Sequence, residues 1–520
     1  MPHDLGLILP APERGSGVPV LRQLYLALRG AILAGRLPPG ARLPATRALA
    51  EQLGLARNTV VAAYDQLLAE GFIEGRVGAG SFVSRDLPEA PELPPARRPP
   101  APPAPPAGSL AEGTVPEALA ARPFNTGRTG WDARSQRIWR ALSIRRLAAP
   151  DPAMFGYGDP RGSRALREAI ARYLRAARAV RCDPDQVMVT AGAQQAIDLV
   201  LRVLLAPGDP VWVENPCYPA LRGALEAAGA RLVPVPVDAQ GLDVAAGIAA
   251  APAARLAYVT PSSQYPLGVV LSMARRLELL AWARRAGAWL VEDDYDSEFR
   301  YAGRPLASLQ GIDEAGRVIY VGTFSKVLFP GLRLGYAVLP PALLGPVQAA
   351  RLRSDWHPAT LAEGVVTDFL EEGHFAQHLR RMRLHYRAAR DGLVAALRAA
   401  LPDRIAVEPP EQGLKLLARL PDGGDDVAVA EAAARRGVVA RPVSPMYLRP
   451  MDRGPGDPAA PPPLRALMLG FSGYELAALR RAAEGLAAAF DQVPSASADQ
   501  VPSASADQVP SAFADQPPSA

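Results

Sequence analysis

Apolar residues recur at three- and four-residue spacing over 20–33, which predicts a helix ending near Gly35. A proline-bearing turn over 37–44 follows. A short helical pattern over 45–53 is closed by Gly54, with a cap expected from Thr46 or its neighbour. Residues 57–70 repeat the helical period, with Val60, Val61, Tyr64, Leu67 and Leu68 on one face and Gly71 at the end. Residues 72–83 read as two short strands around a glycine-rich tip. From Asp183 the period changes. Short apolar runs over 187–190, 211–214, 231–235, 257–260, 289–292, 318–322 and 334–339 alternate with helical segments. That pattern predicts a mostly parallel sheet with helices on both faces. The fold class is α/β, preceded by a small helix-and-wing module and followed by a smaller α+β region over about 375–490.

Proline usage divides the chain. Its 55 prolines are unevenly spread, and 11 of them fall within the 34 residues 86–119, where Pro and Ala dominate. Such a segment buries no core and favours extended conformers, so it is expected to be a semi-rigid spacer. Residues 491–520 repeat a polar eight-residue unit and are expected to be a disordered tail. The expected domains are therefore 18–85 and 120–490, joined by the spacer.

Hydrophobic residues make up 49% of the chain, enough for sizeable cores. A net charge of +5 is modest, so any DNA contact has to come from a local patch. Cys182 and Cys217 are the only cysteines, which excludes a disulfide framework and a cysteine-built zinc site. No secretory leader and no apolar run of about 18 residues is present, so a cytoplasmic protein with no membrane contact is expected.

The local patch lies in the first module. Residues 18–85 hold eight Arg against four acids, a local excess of +4. Helix, turn, helix and wing is an arrangement that reads DNA, with the N-terminal turn of the second helix reaching base edges. Arg57, Asn58 and Thr59 occupy that turn, Arg47 the helix before it, and Arg76 the wing. The run from Leu37 to Ile73 resembles the GntR-type winged helix-turn-helix over nearly its whole length. The resemblance implies operator DNA contact by Arg47, Arg57, Asn58, Thr59, Arg76 and the tip from Gly78 to Gly80.

In the large module, ligands are expected beyond the carboxyl ends of the strands. The first strand leads to Gly192, Ala193 and Gln194, small residues opening a helix whose amides suit a phosphate. The second leads to Tyr218, which could stack on a flat ring or simply pack. The fifth leads into an acidic run from Glu292 to Glu298, in which Asp293 could face a ring nitrogen and Tyr295 a ring hydroxyl. A divalent-cation site is the competing reading of that run. The sixth leads to Thr323, Ser325 and Lys326, and the next strand is expected to begin at Leu332, Arg333 and Leu334.

Of 57 Lys plus Arg, only Lys326 and Lys415 are lysines. A guanidinium cannot form an imine, whereas a primary amine can. A phosphate cup, stacking ring, carboxylate, phenol, amine and arginine together are the parts that hold pyridoxal phosphate. With Asn215 to Pro219, the acidic run and the stretch from Ser325 to Gly335 in place, residues 120–490 resemble a fold-type I, pyridoxal phosphate-dependent aminotransferase. Residues 18–490 as a whole resemble the MocR/GabR-type transcription regulators.

The resemblance implies Lys326 as the Schiff-base lysine, Asp293 at the pyridine nitrogen, Tyr295 at the ring hydroxyl and Tyr218 stacked on the ring. Ala193, Gln194, Thr323, Ser325 and Arg333 would hold the phosphate. Two departures stand out. Tyr265 replaces a common Asn, and Met468 stands where many aminotransferases carry a carboxylate-binding Arg. Arg441 and Arg222 are possible substitutes for that Arg. The expectation is a DNA-binding regulator, a head-to-tail homodimer, that senses a small amine, amino acid or vitamin B6 ligand by exchange at Lys326. An active aminotransferase with an appended DNA reader is the alternative.

Overall fold

The structure, a computed structural model, describes residues 17–76, 79–85, 121–149, 152–303, 306–421, 424–448 and 462–493. The spacer over 86–119, the wing-tip residue Gly78 and the repeats from 494 onward lie outside the described residues. The chain divides into two compact units between residues 105 and 106.

In the first unit, α1 (Val20–Leu33) and α3 (Arg57–Ala69) bury Leu24, Leu28 and Ile32 against Val60, Tyr64 and Leu67, whereas Val61 is half-buried and Leu68, expected on the same face, is exposed at the edge of the stripe. Each fully buried leucine contributes about 2 kcal/mol relative to an exposed one. Between them, α2 (Thr46–Leu53) has Ala45 as its N-cap and no side-chain capping bond, so the expected Thr46 cap is not formed. Thr46 is instead the first helical residue. Tyr64 Oη donates to the Pro44 carbonyl at 3.0 Å and ties α3 to the turn before α2. The wing is an antiparallel pair, β1 (Ile73–Arg76) and β2 (Gly80–Val83), with Ile73 opposite Val83.

The second unit opens with α4 (Ala133–Ala148) and α5 (Arg164–Arg178). A βα alternation follows: β3 (Val187–Thr190), α6 (Ala193–Leu204), β4 (Pro210–Asn215), α7 (Pro219–Ala227), β5 (Arg231–Asp238), β6 (Gly241–Leu242), α8 (Val244–Ala250), β7 (Leu256–Val259), α9 (Met273–Ala286), β8 (Trp289–Asp294), β9 (Val318–Thr323) and β10 (Gly335–Val338). These strands form one sheet in the order β3-β10-β9-β8-β7-β4-β5-β6. Alternate residues feed opposite faces. Val211 and Val213 pack with Ile197, Val200 and Leu221, whereas Trp212 packs with Val244, Leu279 and Trp282.

Two strands depart from the expected parallel arrangement, the short β6, antiparallel to β5, and β10. β10 runs antiparallel to both neighbours, so Gly335 lies beside Thr190 on one side and Thr323 on the other. It starts at Gly335, later than the apolar run suggested, which leaves Arg333 in the preceding turn at φ +49°. A Cβ on Gly335 would lie 2.8 Å from Gly192 Cα, so the three segments meet here only through glycine.

Helices α10 (Pro341–Ser354), α11 (Thr360–Glu371) and the 27-residue α12 (His374–Ala400) lead into the smaller region. There β11 (Ala406–Val407), β12 (Lys415–Arg419), α13 (Asp426–Arg435), β13 (Arg441–Pro442), β14 (Ala466–Gly470) and α14 (Leu476–Phe490) form an antiparallel sheet, β11-β12-β14-β13, backed by helices. No helix among the described residues is long and apolar enough to cross a membrane.

Candidate cofactor site

The carboxyl ends of β3, β4, β7, β8 and β9 border a cavity of about 340 Å³, closed from the other side by β12 and β13. Its walls carry Ala193, Gln194, Tyr218, Asp293, Tyr295, Thr323, Ser325, Lys326 and Arg333, the full set expected from the sequence. Gly192, the N-cap of α6, has φ +104°, a conformation that favours glycine. It turns the first amides of α6 toward the cavity, where the partial positive charge of a helix start suits an anion. The Arg333 guanidinium lies on the open side of Gly192, within 3.7 Å of where a Cβ would stand.

Asp293 is buried at the end of β8. Tyr258, from the adjacent β7, donates to its Oδ2 at 2.5 Å, while Oδ1 has no hydrogen-bond partner. Burial pushes this carboxyl up to about 7, with the Tyr258 bond opposing and the nearby Asp294 and Asp296 adding to the rise. An unpartnered carboxylate oxygen in such a place fits the N–H of a protonated pyridine ring. Ser325 Oγ and Gln194 Oε1 are likewise buried without partners. Ser325 can donate to a phosphate, and Thr323 Oγ1 fixes its position by accepting from the Ser325 amide at 3.1 Å.

Lys326 Nζ donates to the Thr126 carbonyl at 3.1 Å. Burial, reinforced by the Lys415 and Arg441 cations and opposed by Asp296 and Asp293, draws its pKa down to about 8. An amine so placed is partly neutral near physiological pH and able to act as a nucleophile. Tyr218 packs edge-on to Tyr265, centroids 5.0 Å apart, on the wall bordering Ala220.

The acidic run does not gather round one point. Glu292 accepts from the amides of Leu309 and Gln310, Asp294 pairs with Arg178 at 2.8 Å, and Glu298 accepts from Tyr173. Among the described residues no group of three or more His, Cys, Asp or Glu could hold a metal ion.

The two arginines weighed for an acid group separate. Arg441 lines the cavity with its Nε unpartnered, and it lies opposite Met468 in the sheet register. Arg222 stands on α7, paired with Glu226 at 2.8 Å, and is not among the cavity's lining residues. Thr126, Gly127, Tyr258 and Asp296 are wall residues that pattern reading does not assign. Tyr258 lies inside an apolar run and reads as core, and Thr126 precedes the first regular element of its unit. Lys415 carries two sequence signals, its rarity and its place on an apolar strand of the smaller region that could face the cleft, and it lines the cavity.

In the first unit Arg47, Arg57 and Asn58 are exposed and Thr59 is half-buried. Arg76 pairs with Glu74 at 2.7 Å and lies over the Phe82 ring.

Residues 21–83 match the gntR family of bacterial regulatory proteins, and residues 130–456 match aminotransferase class I and II. The chain is 38% identical to the probable rhizopine catabolism regulatory protein MocR of Rhizobium meliloti, covering 94% of this chain and 97% of that protein. It is 34% identical to the uncharacterized HTH-type transcriptional regulator YhdI of Bacillus subtilis, over 85% of this chain and 92% of the relative. Among solved structures, the kynurenine aminotransferase of Pyrococcus horikoshii in complex with PMP superposes with a TM-score of 0.64 at 27% identity, covering 72% of this chain and 92% of that one.

Proposed function

Because the chain belongs to the MocR-type transcription regulators, in which a GntR-type DNA-binding unit is joined to a pyridoxal phosphate-dependent aminotransferase class I and II unit, we propose that it senses a small amine, amino acid or vitamin B6 ligand through cofactor held at Lys326. The observation that carries this reading is the convergence of Lys326, Asp293 and Arg333 on one cavity, with Asp293 Oδ1 unpartnered. Bound there, the cofactor supplies an aldehyde for condensation with a primary amine and an electron-withdrawing ring.

The residues divide the work. Asp293 keeps the proton on the ring nitrogen. Arg333, Ser325, Thr323 and the amides of Ala193 and Gln194 neutralise and seat the phosphate. Tyr218 covers the ring face, and Tyr295 meets the ring hydroxyl. Lys326, drawn toward its neutral form, exchanges place with an incoming amine. The cavity favours Arg441 over Arg222 as the group that takes an effector's acid, because Arg441 alone reaches it.

Operator DNA is read by Arg47, Arg57, Asn58 and Thr59, with Arg76 and the Gly78 tip on the wing. Occupancy of the cavity changes operator binding to the extent that the effector favours one of two states of the protein. An exposed aromatic patch supports a homodimer. Tyr157 and Trp356, ring centroids 5.2 Å apart, are 86% and 57% exposed, and Phe155, two residues before Tyr157 in the chain, is 73% exposed, which is apolar surface that a partner would cover. Turnover as an aminotransferase is the second reading, favoured by the Arg441 guanidinium standing across from Met468.

The test is a screen of amines and amino acids against purified protein. Cofactor absorbance and binding to the protein's own upstream DNA are followed together, and molar mass is measured by light scattering. A ligand that alters both readouts is expected. Ligands that alter absorbance but never DNA binding, with steady keto-acid production, would instead establish the enzyme reading.

A further inference from the structure

Among the described histidines only His378, on α12, is fully buried. Its Nε2 lies 3.0 Å from the carbonyl oxygen of Val327, the residue that follows Lys326, and its Nδ1 lies 2.8 Å from Ser135 Oγ on α4. Arg381 Nη2 donates to the same Ser135 oxygen at 2.9 Å, and Arg381 Nε donates to Asp132 Oδ2 at 2.6 Å. Asp132 is the N-cap of α4 and accepts from the Ser135 amide.

The two ends of this chain of hydrogen bonds fix each proton within it. A carbonyl only accepts, so His378 Nε2 carries a hydrogen and donates to Val327. A guanidinium only donates, so the Ser135 oxygen accepts from Arg381 and gives its own hydrogen to His378 Nδ1. That bond requires an unprotonated Nδ1 and hence a neutral ring. Burial, reinforced by Arg381 and opposed by Asp132 and the Val327 carbonyl, draws the imidazole down to about 4, so the ring is neutral near physiological pH.

What the ring holds is the backbone beside the amine. Thr129 Oγ1 donates to the next carbonyl, that of Leu328, at 2.9 Å, and Lys326 Nζ reaches the Thr126 carbonyl at 3.1 Å. Thr126, Thr129, Asp132 and Ser135 belong to one short stretch of chain. It braces the turn after Lys326 directly at Leu328 and through His378 at Val327.

We propose that His378 is a positioning residue for Lys326: by holding the Val327 carbonyl it sets the direction in which the amine leaves the main chain, and Ser135 and Arg381 act through it by fixing its tautomer. Reacting atoms have to meet at about 3–3.5 Å with their orbitals aligned, and a displacement of about 1 Å costs roughly 100-fold in rate. The inference rests on the reading that Lys326 carries the cofactor.

The test follows attachment of pyridoxal phosphate to the cofactor-free, full-length protein by stopped-flow absorbance. His378→Leu is expected to lower the plateau rate by about 10- to 100-fold. His378→Gln, whose amide can still donate to Val327, is expected to recover most of that loss. Ser135→Ala, which withdraws the hydrogen from Nδ1, is expected to slow attachment on its own and to add nothing in the His378→Leu background. Leu393→Ala, about 22 Å further along the same helix, opens a cavity away from Lys326 and controls for lost stability. Pyridoxamine phosphate has no aldehyde and reports seating alone, so its affinity is expected to be unchanged in His378→Leu. A wild-type rate in His378→Leu, no recovery in His378→Gln, an equal loss in Leu393→Ala, or a matching loss of pyridoxamine phosphate affinity would overturn the proposal. Should His378→Leu not fold, a wild-type rate in Ser135→Ala overturns it equally. Borohydride reduction and peptide mass mapping separate the two levels: label on Lys326 with an undiminished rate in His378→Leu refutes the role of His378 alone, and no label on Lys326 in the wild type refutes the underlying reading as well.

Discussion

Replacing Asp293 by Asn separates the cost of this carboxylate from its use. The substitution keeps size and leaves an oxygen to accept from Tyr258. In the cofactor-free protein the buried carboxyl holds its proton up to about 7, against an ordinary value of 3.8. As pH rises through that window the unfolded chain ionises first, so stability is lost progressively between about pH 4 and pH 7. Three units at about 1.4 kcal/mol each give a penalty on the order of 4 kcal/mol above pH 7. Asn removes it, so the cofactor-free variant is expected to be more stable than wild type at about pH 8, with the gap closing toward pH 4.

With cofactor the sign reverses. A hydrogen bond to a charged group contributes roughly 1.5–3 kcal/mol, so pyridoxal phosphate affinity is expected to fall by about 10- to 150-fold. Denaturation at two pH values and a cofactor titration read the two effects independently. A cofactor-free variant less stable than wild type at about pH 8, or an affinity within about threefold of wild type, would refute the assignment of Asp293 to the ring nitrogen.

Arg57→Ala is expected to weaken operator binding by about 1–3 kcal/mol in a gel-shift titration while leaving the cofactor spectrum unchanged, and loss of both would contradict two separable units. Arg441→Met is expected to raise the dissociation constant of an acidic effector by about 10- to 150-fold, measured by titration at one fixed pH. Attachment of pyridoxal phosphate to the cofactor-free protein requires neutral Lys326, whose pKa lies at about 8. The attachment rate, measured by stopped-flow absorbance, is therefore expected to climb about tenfold per pH unit below that value and level off above it. A flat profile would show that another step limits attachment.

Much of this molecule is written in periodicities. The stripes of α1 and α3, the alternating runs of the large sheet and the residues just past each strand end are local signals. Lys326, Asp293 and Arg333 fall where a strand-end rule looks for them. The direction of β10 is not local, because an apolar run of that length pairs equally well either way round and its neighbours decide. Tyr258 was hidden for a related reason. Its ring belongs to the core and only its hydroxyl belongs to the site, and a sequence pattern registers the ring. Thr126 enters the site through a carbonyl, which every residue carries. The separation of Arg441 from Arg222 depends on which sheet faces the cavity, a tertiary fact.

The reversed strand has a consequence for how the site tolerates change. Thr323 and Gly335 sit side by side in register, so the intervening excursion leaves and re-enters the sheet at one edge. The amine and the guanidinium both ride on that single hairpin, one near each foot. Lengthening its crown at Pro330 and Gly331, the exposed residues between them, leaves both feet clamped, so insertions there are tolerated far better than a single-residue slip in either flanking strand, which would carry one of the two charged groups out of the cavity.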